Sequence, residues 1–309
     1  MVVYRLTSSK YFGYFGNHLY FLLFQKDRSG EEYLILNMSI YPKRQKWVHK
    51  GDNGYVLIIG GSREYSGSPV FNAMAALKAG ADLITIVGPK RAMDIAATFA
   101  PDIITYPLEG NDLRSEHLPE ILKIAKRFDS LVIGCGLSRN EETHRTIREI
   151  IRNVDLPMVI DAEAIRAIAQ EKEIIKNKIV VLTPHAKEFK ILTGEEVKPE
   201  KRDRKEKVKK WGGHLNSVIL LKGYLDIISD GKRMAINKTG SPLMTKGGFG
   251  DTLAGICGAL LARKIECFKA AQMAAYINGR AGELAAKIYG ESVLASNIFT
   301  FIPGVIKKL

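Results

Sequence analysis

With 309 residues, 46% hydrophobic and 26% charged, the chain has the size of one large domain plus an appendage and too much apolar residue for a disordered chain. Its net charge of +13 suits a polyanionic partner, yet a basic balance speaks to solubility and encounter rate more than to any one ligand. Cys135, Cys257 and Cys267 form no C-x-x-C and lie near no histidine at zinc-site spacing, which argues for a reducing, cytoplasmic setting and against a structural zinc.

Residues 1–40 are aromatic, lack any strand-helix rhythm and contain an internal Met38. Two readings stand here, a small β appendage or an upstream extension from a misassigned start, so the division taken is 1–40 and 41–309. The run "YFGYFGNHLYFLLF" (11–24) is broken by Gly13, Gly16, Asn17 and His18 and lacks a small-residue cleavage site. Neither a membrane span nor a signal peptide is expected.

From Tyr55 onward the rhythm changes. "VLIIGG", "DLITIVG", "DIITYPL", "SLVIGCG", "PMVID", "KIVVLTP" and "SVILLKG" read as buried strands, with helices expected over 69–79, 90–99, 117–127, 141–153 and 162–170 between them. This alternation predicts an α/β fold, a three-layer αβα sandwich around a mostly parallel sheet. "EKRDRKEKVKKW" (200–211) mixes acids and bases at helical spacing without interleaved aromatics, so it reads as a solvated helix face and not as a nucleic-acid groove. "DIISDGKRMAINK" reads as a hairpin around Asp-Gly, and beyond Asp251 the chain looks helical almost to its end.

Three glycine loops carry the chemistry. "KGGFGDTLAGICGALLA" places Gly247, Gly248 and Gly250 ahead of a helix that opens near Asp251. In an open parallel sheet the ligand crevice lies beyond the strands' carboxyl ends, where bare backbone and free helix N–H groups can take an anion such as phosphate. A carboxylate beside such a cradle is placed to accept a proton from an attacking hydroxyl. The plainer alternative makes Asp251 an N-cap or first-turn acid. The helix dipole lowers its pKa while burial raises it, so the sign stays open. "GGSREYSGSP" (60–69) and "GCGLS" (134–138) each follow a strand as well, and three converging loops are less readily explained as ordinary turns.

"HKGDNGYVLIIGGSREYSGSP", "VIGCGLS", "IDAEAI", "LTPHAKEF", "LLKG" and "NKTGSPLMTKGGFGDTLAGICGALLA" occur in the order and spacing of the ADP- or ATP-dependent NAD(P)H-hydrate dehydratases. From about Pro42 to the C-terminus the chain resembles that family, within the ribokinase-like superfamily. Many relatives carry an N-terminal epimerase domain, and with some forty residues before the match that domain is expected to be absent. The resemblance implies repair of hydrated NADH or NADPH (the S form), driven by a nucleotide. The ring hydroxyl is phosphorylated and phosphate is then eliminated, with ADP the more expected donor and magnesium accompanying it. It implies Asp251 as the base, substrate contacts at Ser68, Gly136, His185 and Asp251, and nucleotide contacts at Lys222, Gly223, Tyr224, Leu225, Asp226, Gly248 and Gly250. A homo-oligomer without membrane or nucleic-acid partners is the family expectation.

Ser68, Cys135 and Phe249 stand where many relatives have alanine, proline and threonine, and Phe249 removes a hydroxyl beside the phosphate cradle. His185 also reads as a satisfied helix-start histidine. Glu188 sits where related kinases carry an acid that organises water around magnesium, so contact with the metal is expected only through water. Asp161 and Glu163 read equally as loop-orienting groups or as helix caps. A ribokinase-like kinase of a small alcohol or vitamin precursor is the leading alternative, although such kinases often carry Cys at the position of Asp251 and Asn at that of His185. A non-catalytic nucleotide-binding regulator is the second, distinguishable by a steep salt dependence of nucleic-acid binding.

Overall fold

The computed structural model describes residues 2–7, 10–15, 18–26, 32–36, 40–41 and 44–309. The chain divides into two compact units, Met1–Lys46 with Gly304–Leu309, and Trp47–Pro303. In the first, β1 (Val2–Thr7), β2 (Lys10–Phe15), β3 (His18–Lys26) and β4 (Glu32–Leu36) pair in sequence order as an antiparallel meander. Met38, Gly16 and Asn17 lie outside the described residues.

The second unit is built on β5 (Tyr55–Ile59), β6 (Leu83–Pro89), β7 (Ile104–Leu108), β8 (Ser130–Ile133), β9 (Met158–Ile160), β10 (Val180–Leu182), β11 (Val218–Leu221), β12 (Asp226–Ser229) and β13 (Met234–Asn237). They form one sheet in the order β13-β12-β11-β10-β9-β8-β5-β6-β7. The pairings from β7 across to β11 are parallel, and only the β11, β12 and β13 edge is antiparallel. The expected hairpin is present, with Gly231 at φ +88 and the Asp230 carboxylate accepting the N–H groups of Lys232 and Arg233.

The helices are α1 (Gly67–Lys78), α2 (Lys90–Ala96), α3 (Leu118–Ala125), α4 (Glu141–Asn153), α5 (Ala162–Ile168), α6 (Ala186–Thr193), α7 (Lys201–Leu215), α8 (Phe249–Ala262), α9 (Cys267–Tyr289) and α10 (Ile302–Ile306). Period-two alternation sorts each strand between two apolar layers. Leu57, Ile59, Leu131 and Ile133 join one continuous core with residues of α3 to α7, while Val56 and Val132 face α8. α8 approaches closely because Gly255 and Gly258 lack a side chain. A Cβ at Gly255 would lie 2.2 Å from the Asn72 carbonyl oxygen of α1, and one at Gly258 would lie 2.3 Å from Val132. The Ser130 hydroxyl then donates to the Gly258 carbonyl at 2.8 Å.

The basic run sits on α7, where Arg202 pairs with Glu206 and Lys207 with Asp203, in keeping with a solvated face. Among the described residues no helix is long and apolar enough to cross a membrane.

Candidate active site

The strand order reverses between β5 and β8, since β5 leads to β6 and β7 on one side while β8 to β11 extend on the other. Such a switch point opens a crevice at the strands' carboxyl ends. The loops there are locked together by backbone. The Gly61 N–H donates to the Cys135 carbonyl at 3.0 Å, and a Cβ on Gly60 would lie 2.5 Å from that same oxygen. Gly136, at φ +73, leaves only enough room that a Cβ would meet Ser68 at 3.0 Å. Ser68 and Gly136 are thus neighbours.

α8 begins opposite them. Gly248 is its N-cap at φ +96, a left-handed turn that a Cβ would crowd against Ala295 and Phe71. Asp251 therefore occupies the first turn and not the cap. Phe249 is 5% exposed, so its bulk is buried in the protein and does not fill the open side of the cradle. Its carbonyl accepts from Thr252 and Asn278. From α1 the Asn72 amide donates to the Asp251 carbonyl at 2.7 Å.

The half-buried Asp251 carboxyl lies in a cluster with the Cys135 sulfur and the Asp161 carboxylate, all within 4.8 Å of one another. Burial raises its pKa most and the Asp161 charge adds to the rise. Hydrogen bonding from Cys135, the Lys222 charge and hydrogen bonding from Ser68 pull the other way, and the balance is about 7. The sign left open by the sequence is upward: desolvation and a like charge outweigh the two hydrogen bonds and the Lys222 charge. Burial, and then the two carboxylates, hold the Cys135 thiol well above its ordinary value, so it stays protonated as a donor.

Lys222, at the end of β11, donates from Nζ to Asp161 Oδ1 at 2.9 Å and lies 3.9 Å from Glu188 Oε2. Burial lowers its pKa, and the two carboxylates more than compensate, holding the ammonium above its ordinary value. A Cβ on Gly250 would lie 3.4 Å from this nitrogen, so the cation stands at the mouth of the glycine turn. Asp161 occupies the N-cap position of α5 but makes no capping bond, and its carboxylate goes to Lys222. The buried Glu163 carboxylate instead binds Arg139 and His144, at 3.0 and 2.7 Å.

His185 is the N-cap of α6. Its Nδ1 accepts the N–H groups of Lys187 and Glu188, and Glu188 accepts the His185 N–H in return, a capping box. Occupation of Nδ1 as an acceptor leaves the ring proton on Nε2, on a side chain 46% exposed. The cap role anticipated as the plainer reading is present, and Nε2 lies 3.4 Å from Glu188 Oε1.

The Lys222 to Asp226 turn is braced from below. Arg204 of α7 donates to the carbonyls of Leu221, Lys222 and Leu225, and the Asp226 carboxylate accepts from the Gly223 N–H and the Asn237 amide. Asp226 thus points into the protein, Leu225 is half-buried, and Tyr224 stands 94% exposed at the tip. The sequence reading did not find Asn72 or Arg204. Arg204 had a signal, since it shares the helical stripe of buried Val208, Gly212 and Leu215. For Asn72 there was none.

The family described as NAD(P)H-hydrate dehydratase matches residues 56–304. The bifunctional NAD(P)H-hydrate repair enzyme Nnr of Pyrobaculum aerophilum is 44% identical over 84% of this chain and 52% of its own length, so the chain spans about half the length of that curated relative. The ADP-dependent (S)-NAD(P)H-hydrate dehydratase of Cenarchaeum symbiosum is 36% identical over 86% of this chain and 93% of its own. Among solved structures, the ADP/ATP-dependent NAD(P)H-hydrate dehydratase of Bacillus subtilis, co-crystallised with ATP/Mg2+, superposes with a TM-score of 0.69 at 25% identity, over 86% of this chain and 93% of that one. The fold is ribokinase-like, and the chain belongs to the NAD(P)H-hydrate dehydratase family.

Proposed function

We propose that the protein dehydrates the S form of hydrated NADH and NADPH at the expense of an adenine nucleotide, with ADP preferred over ATP. The observation that carries this reading is the Asp251 carboxyl in the glycine-rich first turn of α8, clustered with Cys135 and Asp161 at the mouth where Lys222 stands, with its pKa raised to about 7 chiefly by burial. At that value it is substantially ionised at neutral pH and basic enough to take a proton. The ADP preference rests on the similarly sized Cenarchaeum symbiosum relative, whose name carries it.

In this reaction the ring hydroxyl gives its proton to Asp251 as its oxygen attacks the terminal phosphoryl group, and the bond from that phosphorus to its bridging oxygen breaks. The ring C–O bond then breaks with phosphate leaving, the neighbouring ring carbon loses a proton, and the dihydropyridine double bond returns. Backbone N–H groups of the turn at Gly248, Gly250 and Asp251, together with the Lys222 ammonium, hold the charge of the transferring group. Ser68 at the start of α1 and Gly136 in the loop after β8 support the ring, and the half-exposed His185 ring meets the substrate at the start of α6. The Lys222 to Asp226 turn offers the nucleotide its exposed backbone and Tyr224.

Direct magnesium ligation by Glu188 does not fit, because its carboxylate is engaged by the His185 N–H at 2.9 Å and approached by Lys222. Magnesium would arrive on the nucleotide phosphates, keeping much of its water and offsetting their charge. The proposal includes a cytoplasmic homo-oligomer acting without membrane or nucleic-acid partners.

The test follows absorbance near the reduced-nicotinamide band on mixing the protein with hydrated NADH and magnesium, with ADP and ATP in parallel. Recovery that requires one nucleotide and disappears in Asp251→Asn is the expected result. A stable phosphorylated alcohol without recovery would move the assignment to the kinase alternative.

A further inference from the structure

Asp161 is held where it is at the expense of local structure. Its side chain forgoes the capping bonds of α5, and the next residue, Ala162, sits at φ +48, a left-handed conformation that a residue with a Cβ rarely adopts. A departure of this kind persists only where the surroundings over-determine it, and such departures cluster at functional sites. The surroundings here are specific. The 2% exposed carboxylate takes the Lys222 ammonium on Oδ1 at 2.9 Å and the Cys135 thiol on Oδ2 at 3.5 Å, directly beside Asp251.

We propose that Asp161 is a positioning residue for the dehydration, an inference that rests on the function proposed above: its ionised carboxylate anchors Lys222 at the mouth of the glycine turn and sets the charge that Asp251 experiences. Two carboxylates this close do not both ionise freely unless a cation stands with one of them. Lys222 stands with Asp161. Asp161 is thus the carboxylate that the ammonium holds, and its charge raises the pKa of Asp251. The groups facing Asp251 are Cys135 from the loop after β8, Asp161 from the β9 to α5 corner, and Lys222 from β11, with Glu188 of α6 behind it. α1 presents the uncharged Ser68 and Asn72.

The experiment is the pH profile of kcat for wild type and Asp161→Asn at saturating nucleotide, with the KM for nucleotide measured alongside. In Asp161→Asn, kcat is expected to fall by about tenfold or more because Asp251 becomes a weaker base. The acidic limb should move to lower pH by about 1–2 units, and the nucleotide KM should rise as Lys222 loses its anchor. A merely structural role would lower the folded fraction and scale the profile without moving its limb. If the single variant fails to fold because the buried Lys222 loses its closer carboxylate, the double variant Asp161→Asn/Lys222→Met removes both charges. Its limb should still lie below that of the wild type, since the Asp161 charge acts on Asp251 more strongly than the Lys222 charge does. An unmoved limb in a folded variant would overturn the inference and leave the dehydratase assignment standing. Absence of turnover by the wild type with either nucleotide would overturn that assignment and the inference with it.

Discussion

Gly134→Ala is expected to damage both the fold and the site. Gly134 ends β8 at φ +125, and a Cβ built there would lie 1.9 Å from the Asp161 carbonyl oxygen, 2.8 Å from the Ala164 Cβ and 2.9 Å from the Ala164 nitrogen. The backbone conformation alone costs an L-residue about 1–2 kcal/mol. The overlap is with main chain on two sides, so no side chain can swing away, and forced overpacking of this sort adds about 1–3 kcal/mol. The sum, about 2–5 kcal/mol, corresponds to a fall in melting temperature of roughly 5–15 °C for a domain of this size. Relief by backbone movement would shift the β9 to α5 corner that carries Asp161, so activity at 25 °C should fall beyond the loss of folded protein. Thermal unfolding followed by circular dichroism, with turnover on the same samples, reads both effects. Gly194→Ala is the control, because Gly194 is also left-handed at φ +78 but a Cβ there meets nothing within 4 Å. A Gly134→Ala variant that melts no lower than Gly194→Ala would overturn this steric account.

Two further outcomes follow from the same geometry. Folding raises the Asp251 pKa from 3.8 to about 7, so the stability associated with its bound proton is complete below about 4 and lost as pH rises through about 7. Asp251→Asn cannot ionise, and it should therefore melt higher than wild type at pH 8, by on the order of 1–3 kcal/mol, with the gap closing toward pH 4. Equal melting temperatures at pH 8 would show that burial does not raise this carboxyl. Arg204→Met deprives three carbonyls of their shared donor, so it should destabilise by about 1–3 kcal/mol and raise the KM for nucleotide more than it lowers kcat. Steady-state kinetics with nucleotide varied, alongside denaturant unfolding, checks both, and an unchanged KM would separate Arg204 from the nucleotide turn.

The local elements of the second unit were legible in the sequence. Each of the seven apolar runs expected as strands is one, and the Asp-Gly hairpin lies where its turn chemistry required. The five expected helices are present, with α2 ending at Ala96 and α5 at Ile168, ahead of the anticipated 99 and 170, because periodicity marks a helix better than its end. The glycine turn and the place of Asp251 within it were equally legible, since both are properties of consecutive residues. Only the tertiary structure decided which distant residues meet there. Lys222 and Asp161 are 61 positions apart, and Asn72 and Asp251 are 179. Asp161 was open as a loop-orienting group or a helix cap, and in the structure its carboxylate pairs with the Lys222 ammonium. The reason is that hydrophobic period and turn chemistry fix the path of the chain over a few residues, whereas the pairing of β8 with β5 sets which strand ends adjoin. That pairing and the parallel pairings from β8 to β11 depend on how each crossover lays its helix on the sheet, and together they bring the glycine loops, two carboxylates and a lysine to a single crevice.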